Sequence, residues 1–172
     1  EYEKFKKKLD IFHVAFSGGK DSAVLLDLVK KALPRSSFVV IFGDTGMEFP
    51  DTYKAIEITQ QQCENDETPF YFEPQDSWKL FGPPARVLRW CCSVHKSTPQ
   101  TLKMREITGK NDYLGMDFVG VRSHESIARS KYDYENFGKK QKGQYSYNPI
   151  LEWTSAEVWL YIFANNIYIN EA

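Results

Sequence analysis

Hydrophobic positions along the first 110 residues alternate between short continuous runs and helical spacing. Apolar runs at 11–16, 38–42 and 70–72 are rich in branched and aromatic side chains, which predicts strands. Between them, apolar positions recur at helical spacing over 20–33 and 51–63, which predicts helices. Strand–helix–strand order predicts parallel strands with right-handed crossovers. The expected fold class is therefore α/β, a doubly wound, mostly parallel sheet between two helical layers.

The second half of the chain predicts fewer regular elements. We expect a helix over 98–108, a strand over 117–121 and a last helix that Thr154 caps and that runs to about residue 164. Glycine and prolines interrupt 76–89, which predicts a loop over the site. The polar stretch 139–147 predicts a mobile segment.

Length and composition limit the classes of protein. A chain of 172 residues suits one domain, and its net charge of −1 disfavours a nucleic-acid partner without excluding a local basic groove. No apolar run reaches membrane-spanning length, so no membrane partner is expected. Three cysteines do not form a secreted disulfide framework and favour the cytoplasm. The lack of an initiator Met and of a tail-like end predicts that residues 1–172 are a single domain of a longer protein. The oligomeric state is left open.

The strongest chemical signal is the segment Ser17–Ser22, Ser-Gly-Gly-Lys-Asp-Ser, between the first strand and the first helix. Its glycines let the backbone N–H groups approach an anion, and the positive end of the helix dipole faces the same point. Lys20 adds a positive charge, while Asp21 could cap the helix or help hold a metal. A strand-to-helix turn with a polar cap is the competing interpretation. The spacing does not match the Walker A pattern.

This hexapeptide resembles the PP-loop of the ATP pyrophosphatase superfamily, whose fold is the Rossmann-like, adenine nucleotide alpha hydrolase-like one. Further segments follow in the order found in phosphoadenosine phosphosulfate (PAPS) reductases: Asp44–Tyr53, Arg89–Pro99, Gly120–Arg129 and Asn148–Trp159. In the last of these, Glu157 stands where that family usually has Asp. There we expect mainly structure, because Thr154 and Glu157 form a capping box and Trp153 and Trp159 pack.

The resemblance and the chemistry of the side chains together define the candidate site. Asp44 and Thr45 follow a strand and could hydrogen-bond a ribose or base. Arg122 and Arg129 suit forked binding of phosphate or sulfate oxygens, on one side of a helix or flanking a turn. The candidate phosphate- and nucleotide-binding residues are Ser17, Gly18, Gly19, Lys20, Asp21, Ser22, Asp44, Thr45, Arg122 and Arg129. Possible substrate contacts are Arg89, Lys96, Glu125 and Ser126.

The adjacent cysteines Cys91 and Cys92 resemble half of the [4Fe–4S] site of iron–sulfur members of this family. A cluster needs four thiolates, and Cys63 is the only other cysteine, so a cluster is possible only in a full-length protein. Buried structural thiols are the equal alternative. His95 is expected to be a surface or loop residue rather than a ligand.

The resemblance implies two functions. In the first, the domain binds an adenylyl sulfate, PAPS or APS (adenosine 5′-phosphosulfate), and a C-terminal cysteine attacks the sulfate sulfur; sulfite leaves and a thioredoxin-like thiol resets the enzyme. No such cysteine tail is present here, so this fragment should bind nucleotide without turnover. In the second, an ATP pyrophosphatase uses Mg²⁺ near Asp21 and Asp44 and adenylates an acceptor for sulfur transfer, as in tRNA thiolation or DNA phosphorothioation.

Overall fold

The computed structural model describes residues 2–74, 79, 82, 92–137 and 144–170. Its strands are β1 (Ile11–Phe16), β2 (Val39–Asp44), β3 (Phe70–Pro74), β4 (Gly115–Phe118), β5 (Glu135–Phe137) and β6 (Gln144–Tyr147). Its helices are α1 (Tyr2–Phe5), α2 (Lys20–Ala32), α3 (Pro50–Asn65), α4 (Thr98–Thr108) and α5 (Ser155–Asn165). Within these described ranges, no helix has the length and apolarity to cross a membrane.

The strands form one sheet in the order β3-β2-β1-β4-β6-β5. All neighbouring strands pair in parallel except β5 and β6, which are antiparallel at the edge. The chain builds outward from β1 to β3 and then returns to the other side of β1 with β4. In a sheet of this kind, the point where the strand order reverses opens a crevice at the carboxyl ends of the strands. Here that point lies between β1 and β4.

The alternation of side chains along β1 explains the layered core. Phe12, Val14 and Phe16 belong to the larger cluster, together with Leu25 of α2 and Ile56 of α3. On the opposite face of the sheet a smaller cluster includes a residue of α4, and its buried members are Ile11, Val39, Ile41, Met104 and Tyr113. Both faces of the sheet are therefore covered, and the predicted three-layer α/β fold is confirmed.

Most predicted elements are found close to their expected bounds, and two differ. Strand β2 extends through Asp44 because Gly43 and Asp44 still pair with β3, so the break expected at 43–46 starts later. Strand β4 ends at Phe118, where its pairing with β1 ends, rather than covering 117–121.

The expected mobile stretch is wrong for residues 144–147, which form strand β6 between β4 and β5. Polar and aromatic residues alternate in Gln144–Tyr147, which suits a strand with one neighbour on each side. The polar composition of the whole stretch hid this alternation in the sequence. The rest of that stretch and nearly all of the expected loop at 76–89 lie outside the described residues.

The start of α5 shows the predicted capping box. The Thr154 hydroxyl accepts a hydrogen bond from the Glu157 N–H at 3.2 Å, and the Glu157 carboxylate accepts one from the Thr154 N–H at 2.7 Å. Trp153 packs against Tyr161, with ring centroids 5.5 Å apart. Trp159 is exposed and stacks on Phe163 at the surface, so its packing role is weaker than expected.

We expect Thr154→Ala to lower the free energy of unfolding by about 1 kcal/mol, because the first turn of α5 loses its side-chain acceptor. Urea denaturation measures the change. The matched control is Ser155→Ala one residue later, which removes an exposed hydroxyl outside the capping box and should shift stability by less than about 0.5 kcal/mol. Equal effects of the two substitutions would contradict the capping role.

Candidate functional site

The phosphate loop is held closed by hydrogen bonds within the Ser17–Ser22 segment. The Ser22 hydroxyl donates to the Gly19 carbonyl at 2.8 Å and accepts from the Ser17 hydroxyl at 3.1 Å. Ser22 is buried, so its hydroxyl shapes the loop. Gly18 has a φ of +75°, in the left-handed region that favours glycine. A Cβ there would also lie 3.0 Å from the Thr52 side chain of α3.

Asp21 lies between two cations at the start of α2. Its Oδ2 is 3.1 Å from Lys20 Nζ, and its Oδ1 accepts a hydrogen bond from Arg122 Nε at 2.7 Å. The N-cap of α2 is Gly19, and no side chain caps it. The capping role considered for Asp21 is therefore wrong, and its carboxylate instead joins the phosphate loop to a loop 101 residues further along the chain.

Residues 120–129, here called the arginine loop, follow β4 and pack directly on the phosphate loop. A Cβ on Gly120 would lie 2.9 Å from the backbone oxygen of Asp21, so only glycine permits this approach without movement. The Arg122 side chain is only 6% exposed. Its guanidinium is therefore a buried charge that Asp21 compensates.

Arg122 and Arg129 flank short 3₁₀ turns at Ser123–Glu125 and Arg129–Lys131 rather than sharing one helix. The Glu125 carboxylate accepts a hydrogen bond from the Arg122 backbone N–H at 3.0 Å and forms an ion pair with Arg129. The Ser126 hydroxyl accepts from the Arg129 N–H at 3.2 Å. Glu125 and Ser126 thus shape the arginine loop in this structure.

Asp44 and Thr45 lie at the carboxyl end of β2, and each is 8% exposed. Asp44 Oδ1 accepts hydrogen bonds from the Gly46 N–H at 2.9 Å and from the Tyr53 hydroxyl at 2.7 Å. The Thr45 hydroxyl donates to the Glu48 carboxylate at 2.9 Å. Burial and the nearby Asp44 carboxylate raise the pKa of Tyr53 to about 12, so the phenol stays protonated and donates at neutral pH.

The sheet register brings these loops to one edge. Phe16 at the end of β1 pairs with Phe42 of β2, which sets the phosphate loop beside Gly43 and Asp44. On the other side, Val14 of β1 pairs with Phe118, the last residue of β4. Residues 44–48 are here called the Asp44 loop. The phosphate loop therefore lies between the Asp44 loop and the arginine loop, at the predicted crevice.

The turn that follows the cysteine pair packs on the same strand end. Cys92–Ser97 forms a π-helical turn, and a Cβ on Gly43 would lie 2.6 Å from the His95 carbonyl oxygen. His95 is fully buried, so the expected surface position is wrong. Lys96 in this turn is exposed. Arg89, Cys91 and the side chain of Cys92 lie outside the described residues.

The donor set of this chain does not fit an iron–sulfur cluster. Cys63 lies fully buried in the apolar core on α3, and burial raises the pKa of its thiol, which favours the protonated form. Its place in the core argues against a ligand role for Cys63, and the chain holds three cysteines where a cluster needs four thiolates. In the part of the chain that the structure describes, no group of three or more metal-ligating side chains occurs.

Sequence reasoning missed several residues that support this edge. Thr52 and Tyr53 in the first turn of α3 contact the phosphate loop and Asp44, and Gly120 allows the two loops to meet. Within β1, His13 is fully buried, and its Nδ1 lies 3.1 Å from Oδ1 of Asp117 on the neighbouring strand β4. A histidine in an apolar strand run was a visible signal, whereas the contacts of Thr52 and Tyr53 depend on tertiary structure.

The volume of a cavity does not identify the site. Among the described residues, a cavity of about 400 Å³ lies at the opposite, amino edge of the strands, lined by Tyr2, Phe12 and Phe38 among others. Its cations Lys6 and Lys110 already form ion pairs with Glu3 and Asp10. Loops and charged side chains meet at the carboxyl edge of the strands, which favours that edge as the functional site.

Residues 11–171 match the phosphoadenosine phosphosulfate reductase domain. The chain belongs to this family. The match includes the phosphate loop, the Asp44 loop and the arginine loop, so the edge described above belongs to a PAPS reductase-family domain with a PP-loop. Several relatives of this domain are named adenosine 5′-phosphosulfate reductases, which are enzymes of sulfur metabolism.

Relatives of this PAPS reductase-family domain are longer than the chain. An uncharacterized protein of Methanocaldococcus jannaschii is 36% identical over 173 residues, which cover 99% of this chain and 34% of that protein. The adenosine 5′-phosphosulfate reductase of Anoxybacillus flavithermus is 29% identical over 164 residues, which cover 91% of this chain and 64% of the reductase. The chain thus spans about a third of the archaeal relative and less than two thirds of the bacterial one.

Solved structures share the fold of this domain at low sequence identity. The PAPS reductase of Candida auris in a phosphate complex superposes with a TM-score of 0.61 at 20% identity, covering 94% of this chain and 75% of that one. The FMN adenylyltransferase of Candida glabrata superposes with a TM-score of 0.64 at 15% identity, covering 99% of this chain and 52% of that one. The tRNA thiolase of Methanococcus maripaludis superposes with a TM-score of 0.60 at 13% identity, covering 95% of this chain and 60% of that one.

We expect Gly120→Ala to lower the free energy of unfolding by about 1–3 kcal/mol, because the new methyl group meets the Asp21 backbone, which cannot rotate away. Denaturant unfolding measures this. The control is Gly19→Ala, where a Cβ would meet nothing closer than Ser17 Oγ at 3.6 Å. If both variants unfold at the same denaturant concentration, the two loops do not pack as described.

Proposed function

We propose that this domain binds an adenylyl sulfate, PAPS or APS, and that the sulfate is reduced to sulfite in the full-length protein. The observation that carries the proposal is the ion pair between Arg122 and Asp21, which holds a buried guanidinium at the phosphate loop. A buried cation beside backbone N–H groups at a helix N-terminus is suited to a phosphate or sulfate anion.

In this proposal each part of the edge has one task. The backbone of Gly18 and Gly19 and the side chain of Lys20 bind the phosphosulfate oxygens. Arg122 keeps its Nε on Asp21, and its two terminal nitrogens reach the same anion. Arg129 is 42% exposed and pairs with Glu125, so it binds the anion by exchanging that partner. Roles of Arg89 and Lys96 as substrate contacts remain predictions.

The redox chemistry of the proposed reaction needs thiols that these residues do not include. A thiolate attacks the sulfate sulfur, the bond from sulfur to the phosphate oxygen breaks, and the nucleotide leaves as its 5′-phosphate. A second thiol, of the thioredoxin type, then attacks the thiosulfonate, so sulfite leaves and the two thiols become a disulfide. On this basis the domain alone binds the nucleotide and does not turn it over.

The second candidate is an ATP pyrophosphatase that adenylates an acceptor for sulfur transfer. The fold shared with a tRNA thiolase and an FMN adenylyltransferase keeps this candidate open. It needs Mg²⁺, and the two carboxylates expected near the ion are Asp21, which faces two cations, and Asp44, whose Oδ1 accepts two hydrogen bonds. Mg²⁺ prefers carboxylate oxygens that are free to join an octahedral shell, and both oxygens of Asp21 already face cations, which favours the adenylyl sulfate.

Calorimetric titration with PAPS, APS and ATP plus Mg²⁺ in one buffer tests the proposal. We expect micromolar binding of at least one adenylyl sulfate and weaker binding of ATP, with no dependence on Mg²⁺ for the sulfate. Tight, Mg²⁺-dependent binding of ATP without binding of either sulfate would reject the reductase function and favour the adenylating one.

We expect Arg122→Ala to weaken adenylyl sulfate binding by at least about tenfold, because a charged hydrogen bond to the anion is lost. The control is Arg105→Ala on the exposed side of α4, whose Nε donates to the Asn111 carbonyl at 3.1 Å. That variant should bind as the unsubstituted domain does. Unchanged binding by Arg122→Ala, in a protein that circular dichroism shows to be folded, would contradict the role of Arg122.

A further inference from the structure

The first turn of α3 contacts both halves of the proposed nucleotide site. Thr52 faces Gly18 of the phosphate loop, 3.0 Å from where a Cβ would lie. Tyr53, the next residue, donates to Asp44 at the end of β2. Consecutive residues of a helix point about 100° apart. One turn of helix can therefore support the phosphate end through one side chain and the nucleoside end through the other.

Two donors determine the orientation of the Asp44 carboxylate. Both bind the same oxygen, Oδ1, one from the backbone N–H of Gly46 and one from the Tyr53 hydroxyl. Gly46 has a φ of +72°, a left-handed conformation that turns the loop back over the carboxylate. The χ2 torsion of an aspartate takes a broad range of angles when nothing restrains the carboxylate. Two bonds on Oδ1 therefore select one rotamer and, as far as the described residues go, leave Oδ2 as the acceptor for a ligand.

Tyr53 is suited to this task across the neutral pH range. Its raised pKa of about 12, due to burial and to Asp44, keeps the phenol in the donating form. A phenol with a raised pKa is protonated near neutral pH and is therefore a constant hydrogen-bond donor. The hydroxyl of Tyr53 therefore acts on Asp44 by its geometry.

We infer that Tyr53 is a positioning residue that orients the Asp44 carboxylate toward donor groups of the nucleoside, and that it acts on the nucleoside end of the ligand alone. The inference rests on the proposed nucleotide site at this edge. It assigns Tyr53 no contact with the phosphates, because its partner is Asp44, whereas the ion pairs of the phosphate loop are made by Lys20, Asp21 and Arg122. The site thus has two separately supported ends.

The test compares two ligands on matched variants. AMP carries the nucleoside that adenylyl sulfates and ATP share, and pyrophosphate probes the phosphate end alone. We expect Tyr53→Phe to weaken AMP binding by about tenfold, the effect of losing a hydrogen bond to a charged group, and to leave pyrophosphate binding within about twofold. The control is Tyr161→Phe, which removes a similar bond, from Tyr161 to Asp27 Oδ2 at 2.8 Å, between α5 and α2. That variant should change neither affinity.

A double-mutant cycle separates positioning from a general loss of structure. In an Asp44→Asn background, Tyr53→Phe should have little further effect on AMP, because the carboxylate that Tyr53 orients is gone. Additive effects of the two substitutions on AMP binding would overturn the inference. So would a parallel loss of AMP and pyrophosphate affinity in Tyr53→Phe, or no loss at all.

Failure of the proposed function gives a different result. Binding of ATP and AMP without binding of PAPS or APS rejects the reductase function, and the AMP comparison still decides the role of Tyr53. If the unsubstituted domain binds neither AMP nor pyrophosphate, the nucleotide site itself is refuted and the inference with it.

Discussion

The buried ion pair between Asp21 and Arg122 is the interaction on which the proposed site depends. The arginine has 6% of its side chain exposed, so removing its partner would leave a charge with little access to water. The pair joins the first strand–helix turn to the loop after β4, across the point where the strand order reverses. Chain segments far apart in sequence are in this way held together at the proposed anion-binding surface.

Glycines let separate backbone segments approach each other closely at this edge of the sheet. Gly120 lets the backbone of the arginine loop reach the backbone of Asp21, and Gly43 lets the turn after the cysteines reach β2. At both positions a Cβ would lie closer than 3 Å to backbone atoms of the neighbouring segment. The close packing of backbones thus helps to set the shape of this edge of the sheet.

Strong local signals made much of the fold predictable from the sequence. The apolar run before Gly18, the helical spacing after it and the pair Thr154 and Glu157 each indicate their element without tertiary information. Because the chemical segments follow strands of a parallel sheet, the sequence predicted that they lie at one edge of that sheet, and Asp21 and Arg122 do meet there. Strand β6 was missed because its residues are largely polar and its pairing with β4 and β5 is not local. The burial of His95 and the bond from Tyr53 to Asp44 likewise depend on neighbours distant in the sequence or across a loop.

Helix α5 has a consequence for how the domain behaves in solution. It buries Val158 and Ile162 but exposes Leu160 by 67% and Phe163 by 70%, beside the stacked Trp159. These exposed side chains form an apolar stripe on a helix whose other face is already packed. Salts that are excluded from protein surfaces strengthen contacts between such stripes. Any contact made through this face of α5 therefore strengthens with such salts, independently of the free energy that holds the sheet together.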